Sequence, residues 1–184
     1  PNQSQCPKPF LMNWQAYWDH LADQQDPHAQ VARTGGQAEI TEALLDKIVA
    51  RIVEQLQIQP GDRVLDLCCG NGMLTRKLAP YCREIVGVDI SKGQILRARN
   101  SSPQEIQYHS KDASQLRQLK LAPFDKINLY FSNQYFDHPQ LAQGVFQEMQ
   151  DNLKPGGLIF LGDVPDIAKL KVFYPGLKQR LKYH

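Results

Sequence analysis

The feature that most constrains this chain is an alternation. Between residues 63 and 161, short apolar runs rich in β-branched residues take turns with segments of helical periodicity. Residues 63–68, 84–89, 106–109, 126–131 and 158–161 read as strands. Residues 72–81, 91–100 and a stretch opened by Pro139, carrying Leu141, Val145, Phe146, Met149 and Leu153, read as helices. Ser91 stands where an N-cap belongs, and Lys154-Pro155-Gly156-Gly157 reads as a tight turn into the fifth strand. Strands separated by helices cannot pair as hairpins. They need crossovers, and right-handed crossovers lay helices on both faces of a parallel sheet. The expected fold is α/β, a doubly wound, mainly parallel sheet with helices on both faces.

Ahead of the alternation lies a polar, Gln-rich stretch with aromatic patches at Phe10, Trp14 and Tyr17-Trp18. Residues 13–22 suit a short helix that Asp26-Pro27 ends. Next, Ile40, Leu44, Ile48, Ile52 and Leu56 recur every four residues, flanked by Leu45, Val49 and Val53. That spacing predicts an amphipathic helix starting near Thr41, with Pro60-Gly61 closing it. The chain therefore divides into a helical extension or lid (1–36), a core (37–166) and a basic amphipathic tail (167–184). The tail holds Lys169, Lys171, Lys178, Arg180 and Lys182 and no acid, and Leu170, Phe173, Leu177 and Leu181 run through it at near-helical spacing.

No window approaches eighteen apolar residues, and the first ten residues lack a secretory pattern, so no membrane span and a cytoplasmic setting are expected. The chain starts at Pro1, which leaves an upstream leader open. Cys6, Cys68, Cys69 and Cys82 form neither a CxxC pair nor a disulfide framework, so no metal is expected.

In doubly wound folds ligands bind outside the carboxyl ends of the strands, so the residues that follow each strand carry the chemistry. After the first strand come Asp66, Cys68, Gly70, Asn71 and Gly72. The glycines allow positive φ and close approach of a ligand to the backbone. Asp66 is a carboxylate inside a strand end, where desolvation demands a partner; a cationic amino group on a ligand would supply one. Asp89 follows the second strand, nineteen residues beyond Gly70, and suits the hydroxyls of a ribose. Asp112-Ala113 follows the third, placed for an adenine amino group. Any one of these acids could be a helix cap. Three at successive strand ends point to a nucleoside-bearing ligand.

These segments resemble the class I S-adenosylmethionine-dependent methyltransferases, small-molecule type. DLCCGNG (66–72) is similar to their glycine-rich motif, and IVGVDIS, KDASQL, FDKINLYFSNQYF and LKPGGLIFLGD are similar to the motifs that follow, in order, over residues 64–163. The resemblance implies Asp66 and Gly70-Asn71-Gly72 around the methionyl part of the cofactor. It implies Asp89 on the ribose, Ile90 against adenine, Asp112 and Ala113 at the adenine edge, and Phe131 facing the methyl donor. Cys68 departs from the family, which usually has glycine there; cysteine is small enough to be tolerated, though its φ is more restricted. By analogy with small-molecule methyltransferases that close an aromatic and an arginine over the cofactor, Tyr17-Trp18-Asp19 would belong to a lid, and Arg33 would pair with the methionine carboxylate.

A nicotinamide dehydrogenase is disfavoured: Thr75 stands where the third glycine of GxGxxG would be, and a pyrophosphate site has no use for Asp66. A binding module without catalysis and a nucleic-acid methyltransferase using the basic tail remain as alternatives. The expected activity is methyl transfer from S-adenosylmethionine to an O, N or C nucleophile on a small molecule by in-line displacement, which leaves S-adenosylhomocysteine. Tyr135, Asp137, His138 and Asp163 sit near the mouth, but no catalytic residue is assigned. The family usually has two further strands after the fifth. Little chain follows Asp163, so C-terminal edge strands are expected to be missing; acceptor and oligomeric state are left open.

Overall fold

The computed structural model describes residues 13–31, 41–136 and 138–164. Arg33, Asp137 and the basic tail lie outside these residues.

Five strands form one sheet: β1 (Arg63–Leu67), β2 (Glu84–Asp89), β3 (Gln107–Ser110), β4 (Phe124–Tyr130) and β5 (Leu153–Gly162). Their order is β3-β2-β1-β4-β5, and every pairing is parallel. The chain steps outward from β1 to β3 on one side, then returns to β4 on the other. The order therefore reverses between β1 and β4, where the crevice of an open α/β sheet lies.

The helices are α1 (Trp14–Leu21), α2 (Pro27–Gln30), α3 (Glu42–Leu56), α4 (Met73–Leu78), α5 (Lys92–Asn100) and α6 (Pro139–Asp151). Thr41 caps α3 and Ser91 caps α5, their hydroxyls accepting from the N–H of Leu44 and of Gln94. Alternate strand residues feed two cores. Val64 and Ile85 pack with Leu45, Ile52, Leu56, Leu78 and Ile95 on the α3–α4–α5 face. Leu65, Leu67 and Val86 pack with Val145, Met149 and Leu116 on the α6 face. All five residues of β1 are buried, as a central parallel strand requires. Each aliphatic side chain so buried contributes about 1.5–3 kcal/mol.

The structure shifts several sequence-based boundaries. In α3 the buried stripe is Leu45, Val49, Ile52 and Leu56, with Ile48 and Val53 partly buried beside it, while Leu44 is exposed, so the apolar face is rotated away from Leu44. The third strand begins at Gln107, because the Ile106 N–H is spent in a turn on the carbonyl of Pro103. The expected turn at 154–157 is a bulge inside β5. Leu153 pairs with Phe124 and Leu158 with Lys126, so four residues oppose Asp125 alone. Among the described residues β5 pairs only with β4, and β5 and β3 are the sheet edges.

A candidate cofactor cleft under an aromatic roof

A cavity of about 320 Å3 opens at the carboxyl ends of the strands, on the β1/β4 reversal. Asp66 from β1 and Cys68, Gly70 and Asn71 from the β1–α4 loop line it, with Asp89 at the end of β2 and Ile90 after it, Asp112 and Ala113 after β3, and Phe131 after β4. Most of the residues singled out in the sequence thus converge on one cleft. Gly72 adjoins it as the N-cap of α4.

Each acid has protein partners as well as a place in the wall. Asp66 is 2% exposed; its Oδ2 accepts from the Thr75 hydroxyl at 2.5 Å and its Oδ1 from the Asn128 amide at 2.8 Å. The desolvation demand that pointed to a ligand cation is met within the protein. Asp89 accepts from the N–H of Gly70 and of Ser91, each at 2.9 Å, and so ties the glycine loop to the start of α5. Burial pushes its carboxyl up to about 6 against the pull of those two N–H groups, with Asp66 and Asp19 adding repulsion. Asp112 caps a 3-10 turn, its Oδ1 accepting from the N–H and the hydroxyl of Ser114.

The glycine loop is shaped by contact. Gly72 has φ +74°, and a Cβ there would stand 2.5 Å from the Tyr108 hydroxyl. Cys68 takes φ +58° without being glycine, as does Phe131 at the end of β4. Burial pushes the thiols of Cys68 and Cys69 well up, and the charges of Asp89 and Asp66 push further, so both hold their protons. Asn71 lines the cleft with its side-chain amide engaged by the protein: it donates to the Pro27 carbonyl and to Gln30 Oε1, both at 2.9 Å.

That bond belongs to a clasp that sequence reasoning missed. Asp19 on α1 accepts from the Ser91 hydroxyl at 2.6 Å and the Gly93 N–H at 3.0 Å. Gln94 donates to the carbonyls of Trp18 and Gln30, and Arg97 to that of Ala22. Residues 13–31 are thereby pinned over the cleft. Trp14 and Trp18, one turn apart on α1, both line the cavity and meet the Tyr135 ring edge to face, at 4.8 and 5.1 Å between centroids. The buried Trp14 Nε1 has no hydrogen-bond partner among the described residues.

The candidate bases fare differently. His138 is exposed and caps α6, its Nδ1 accepting from the Leu141 N–H. Asp163, at φ +54°, lies beyond β5 and is not among the lining residues. Asn128 and Thr75 were missed. A signal existed for Asn128, a polar residue inside an apolar strand, where burial demands a partner.

The methyltransferase domain family matches residues 64–157, half of the chain. The chain belongs to that family. The methyltransferase domain resembles an uncharacterized methyltransferase, sll0829, of Synechocystis sp. (strain ATCC 27184 / PCC 6803 / Kazusa), at 33% identity over 114 residues, 61% of this chain and 51% of that one. It also resembles the 23S rRNA (uracil(1939)-C(5))-methyltransferase RlmD of Xanthomonas euvesicatoria pv. vesicatoria (strain 85-10), 37% identical over 81 residues, 42% of this chain and 18% of that one. The chain thus spans between a fifth and a half of these relatives. Among solved structures, the methyltransferase domain shares its fold with the N-methyltransferase NodS from Bradyrhizobium japonicum WM9 in complex with S-adenosyl-L-homocysteine. The TM-score is 0.64 at 19% identity, over 82% of this chain and 72% of that one. Haemonchus contortus phosphoethanolamine N-methyltransferase 1 gives 0.64 at 20% identity, over 79% and 30%. Among the described residues no cluster suits a metal ion, and no helix is long and apolar enough to cross a membrane.

Proposed function

We propose that the domain binds S-adenosylmethionine in this cleft and transfers its methyl group to a small-molecule acceptor. The observation that carries the reading is the convergence of Asp66, Asp89 and Asp112, from three successive strand ends, on one cavity at the β1/β4 reversal. A cavity of about 320 Å3 is of the size that takes a nucleoside-bearing ligand. The group, when bound, supplies an activated methyl on a sulfonium. Asp89 accepts from the ribose hydroxyls with the lone pairs that Gly70 and Ser91 leave open. Ile90 and Ala113 pack on adenine, and Asp112 accepts at its edge. Gly70, Asn71 and Gly72 shape the methionyl end over Asp66, and Cys68 and Phe131 face the sulfur side. Arg33, outside the described residues, would pair with the carboxylate by analogy with small-molecule methyltransferases. The roof of residues 13–31 holds the acceptor in line and excludes water, which is the main catalytic contribution such a site makes. Free thiols at Cys68, Cys69 and Cys82 support a reducing, cytoplasmic setting.

A second reading, methylation of RNA, is favoured by the RlmD relatives. The aromatic roof and the acidic lining, with Lys111 its one cationic side chain among the described residues, favour a small acceptor.

The test is calorimetric titration with S-adenosylmethionine, on the wild type and on Asp89→Ala. Saturable binding that weakens at least tenfold in the variant supports the reading. No binding to the wild type overturns it. Incubating the domain with radiolabelled cofactor and either RNA or small acceptors separates the two readings.

A further inference from the structure

We propose that the β4 side of the cavity, under Trp14, Trp18 and Tyr135, is a receptor for an ammonium group, and that the methyl acceptor is a small aliphatic amine. This rests on the methyl-transfer reading above. Three observations carry it.

The first is the division of the cavity. The acids and glycines at the ends of β1, β2 and β3 take up the cofactor side, which leaves the end of β4 and the roof above it for the acceptor. That remaining wall is aromatic. Trp14 and Trp18 descend from α1 onto Tyr135, with interplanar angles of 61° and 82°. Among the described residues neither tryptophan is stacked flat on a neighbour. Ring faces are the electron-rich surfaces that attract a cation, those of tryptophan most strongly.

The second is the sign of the surroundings. Asp66, Asp89 and Asp112 lie in the walls, against one cationic side chain among the described residues, Lys111, whose ammonium is bound to Gln118 at 2.6 Å. A negative, partly desolvated cavity favours a positively charged guest over a neutral or anionic one.

The third is the chemistry that the lining supports. A hydroxyl acceptor needs a base to take its proton. Among the described lining residues there is no histidine, the three carboxylates accept from protein donors and lie on the cofactor side, and the two thiols keep their protons. An amine needs no such base once its proton has passed to water. Its lone pair forms the N–C bond, the C–S bond breaks with its electron pair going to sulfur, and the positive charge moves from sulfur to nitrogen. Charge is conserved inside the cavity. A wall of ring faces and carboxylates suits the ion at both ends of the step.

The chain has two tryptophans, and both are in this wall, so intrinsic fluorescence reads its occupancy directly. The 184-residue chain is first saturated with S-adenosylhomocysteine, with binding verified by calorimetry. It is then titrated with choline and, separately, with its neutral carbon isostere 3,3-dimethylbutan-1-ol. The expected result is a saturable fluorescence change with choline and roughly tenfold or more weaker binding of the isostere. Trp18→Leu should lose the choline response of the remaining tryptophan, and Trp18→Tyr, which keeps an aromatic face, should retain it. Equal affinity for the two compounds overturns the proposal, as does no response to choline in protein that binds S-adenosylhomocysteine. Protein that binds no S-adenosylhomocysteine sinks the methyl-transfer reading itself.

Discussion

At Cys68 and Asp89 single side chains carry costs that the fold imposes. Cys68, directly after β1, stands in the left-handed region, at φ +58°, where the chain turns into the glycine loop. A β-branched residue meets that conformation badly. Cys68→Val should lower stability by about 2 kcal/mol, whereas Cys68→Gly, trading strain relief against lost packing and backbone entropy, should stay within about 1 kcal/mol of wild type. Urea unfolding of the two variants checks the difference. Asp89 carries the other cost. Its folded carboxyl titrates at about 6, above the ordinary aspartate value of 3.8, so the folded state binds the proton more tightly than the unfolded state does. Its contribution to stability is fully present below about pH 4 and is lost as pH rises through about 6, a difference of about 3 kcal/mol. The wild-type stability profile should fall over that window relative to Asp89→Asn, which has no proton to lose. Cofactor affinity should move the opposite way. The carboxylate is the better acceptor for ribose hydroxyls, so calorimetry at pH 5 and 7.5 should show tighter binding at the higher pH.

Among the elements, α1 is the one whose position is least supported by its own sequence. It has eight residues and none is buried, so it stays docked through the clasp rather than through a core of its own. Asp19 is central to that clasp, since one carboxylate oxygen takes both the Ser91 hydroxyl and the Gly93 N–H at the start of α5. Asp19→Ala should cost about 1–2 kcal/mol and loosen the roof. Hydrogen exchange should quicken across residues 14–21 while β1 and β4 keep their protection. Unchanged exchange in α1 would show that the aromatic contacts with Tyr135 alone hold it. Gly93→Ala should act alike, because its Cβ would stand 2.8 Å from that of Ala22.

For the whole molecule, the arrangement predicts that ligand and fold are coupled. The cleft joins loops after four strands to a segment more than thirty residues away in sequence, so a ligand filling it bridges the sheet, α5 and the roof at once. At one hundred times its dissociation constant S-adenosylhomocysteine should stabilise the domain by about 2.7 kcal/mol. For a chain of this length that corresponds to a rise of roughly 5–10 °C in Tm. A thermal shift assay measures it, and the rise should shrink in Asp19→Ala if the roof takes part.

The alternation of strand and helix periodicity was enough, without coordinates, to determine the α/β class, the parallel sheet and four of the five strand positions to within a residue or two. Local physics suffices there: period-2 and period-3.6 patterns and glycine turns act over a few residues, and crossovers between parallel strands have one hand. It also determined which residues face the cleft, because parallel strands all deliver their carboxyl ends to one side. That is why Asp66, Asp89 and Asp112 could be read as neighbours from spacing alone. Tertiary structure decided what each of them does there. The partners of Asp66 are Thr75 and Asn128, and those of Asn71 are Pro27 and Gln30, pairings across nine to sixty-two residues that no local pattern encodes. The bulge at 154–157 came from pairing against β4, which made a local turn signal part of a strand. The rotation of α3 came from the sheet it packs on, since several stripes of its apolar residues would serve a helix in isolation. Trp14 and Trp18 showed as aromatics in the sequence, but only their docking onto Tyr135 made them a wall. Desolvation and packing act between whatever the fold brings together, so the sequence names the participants and the tertiary structure names their partners.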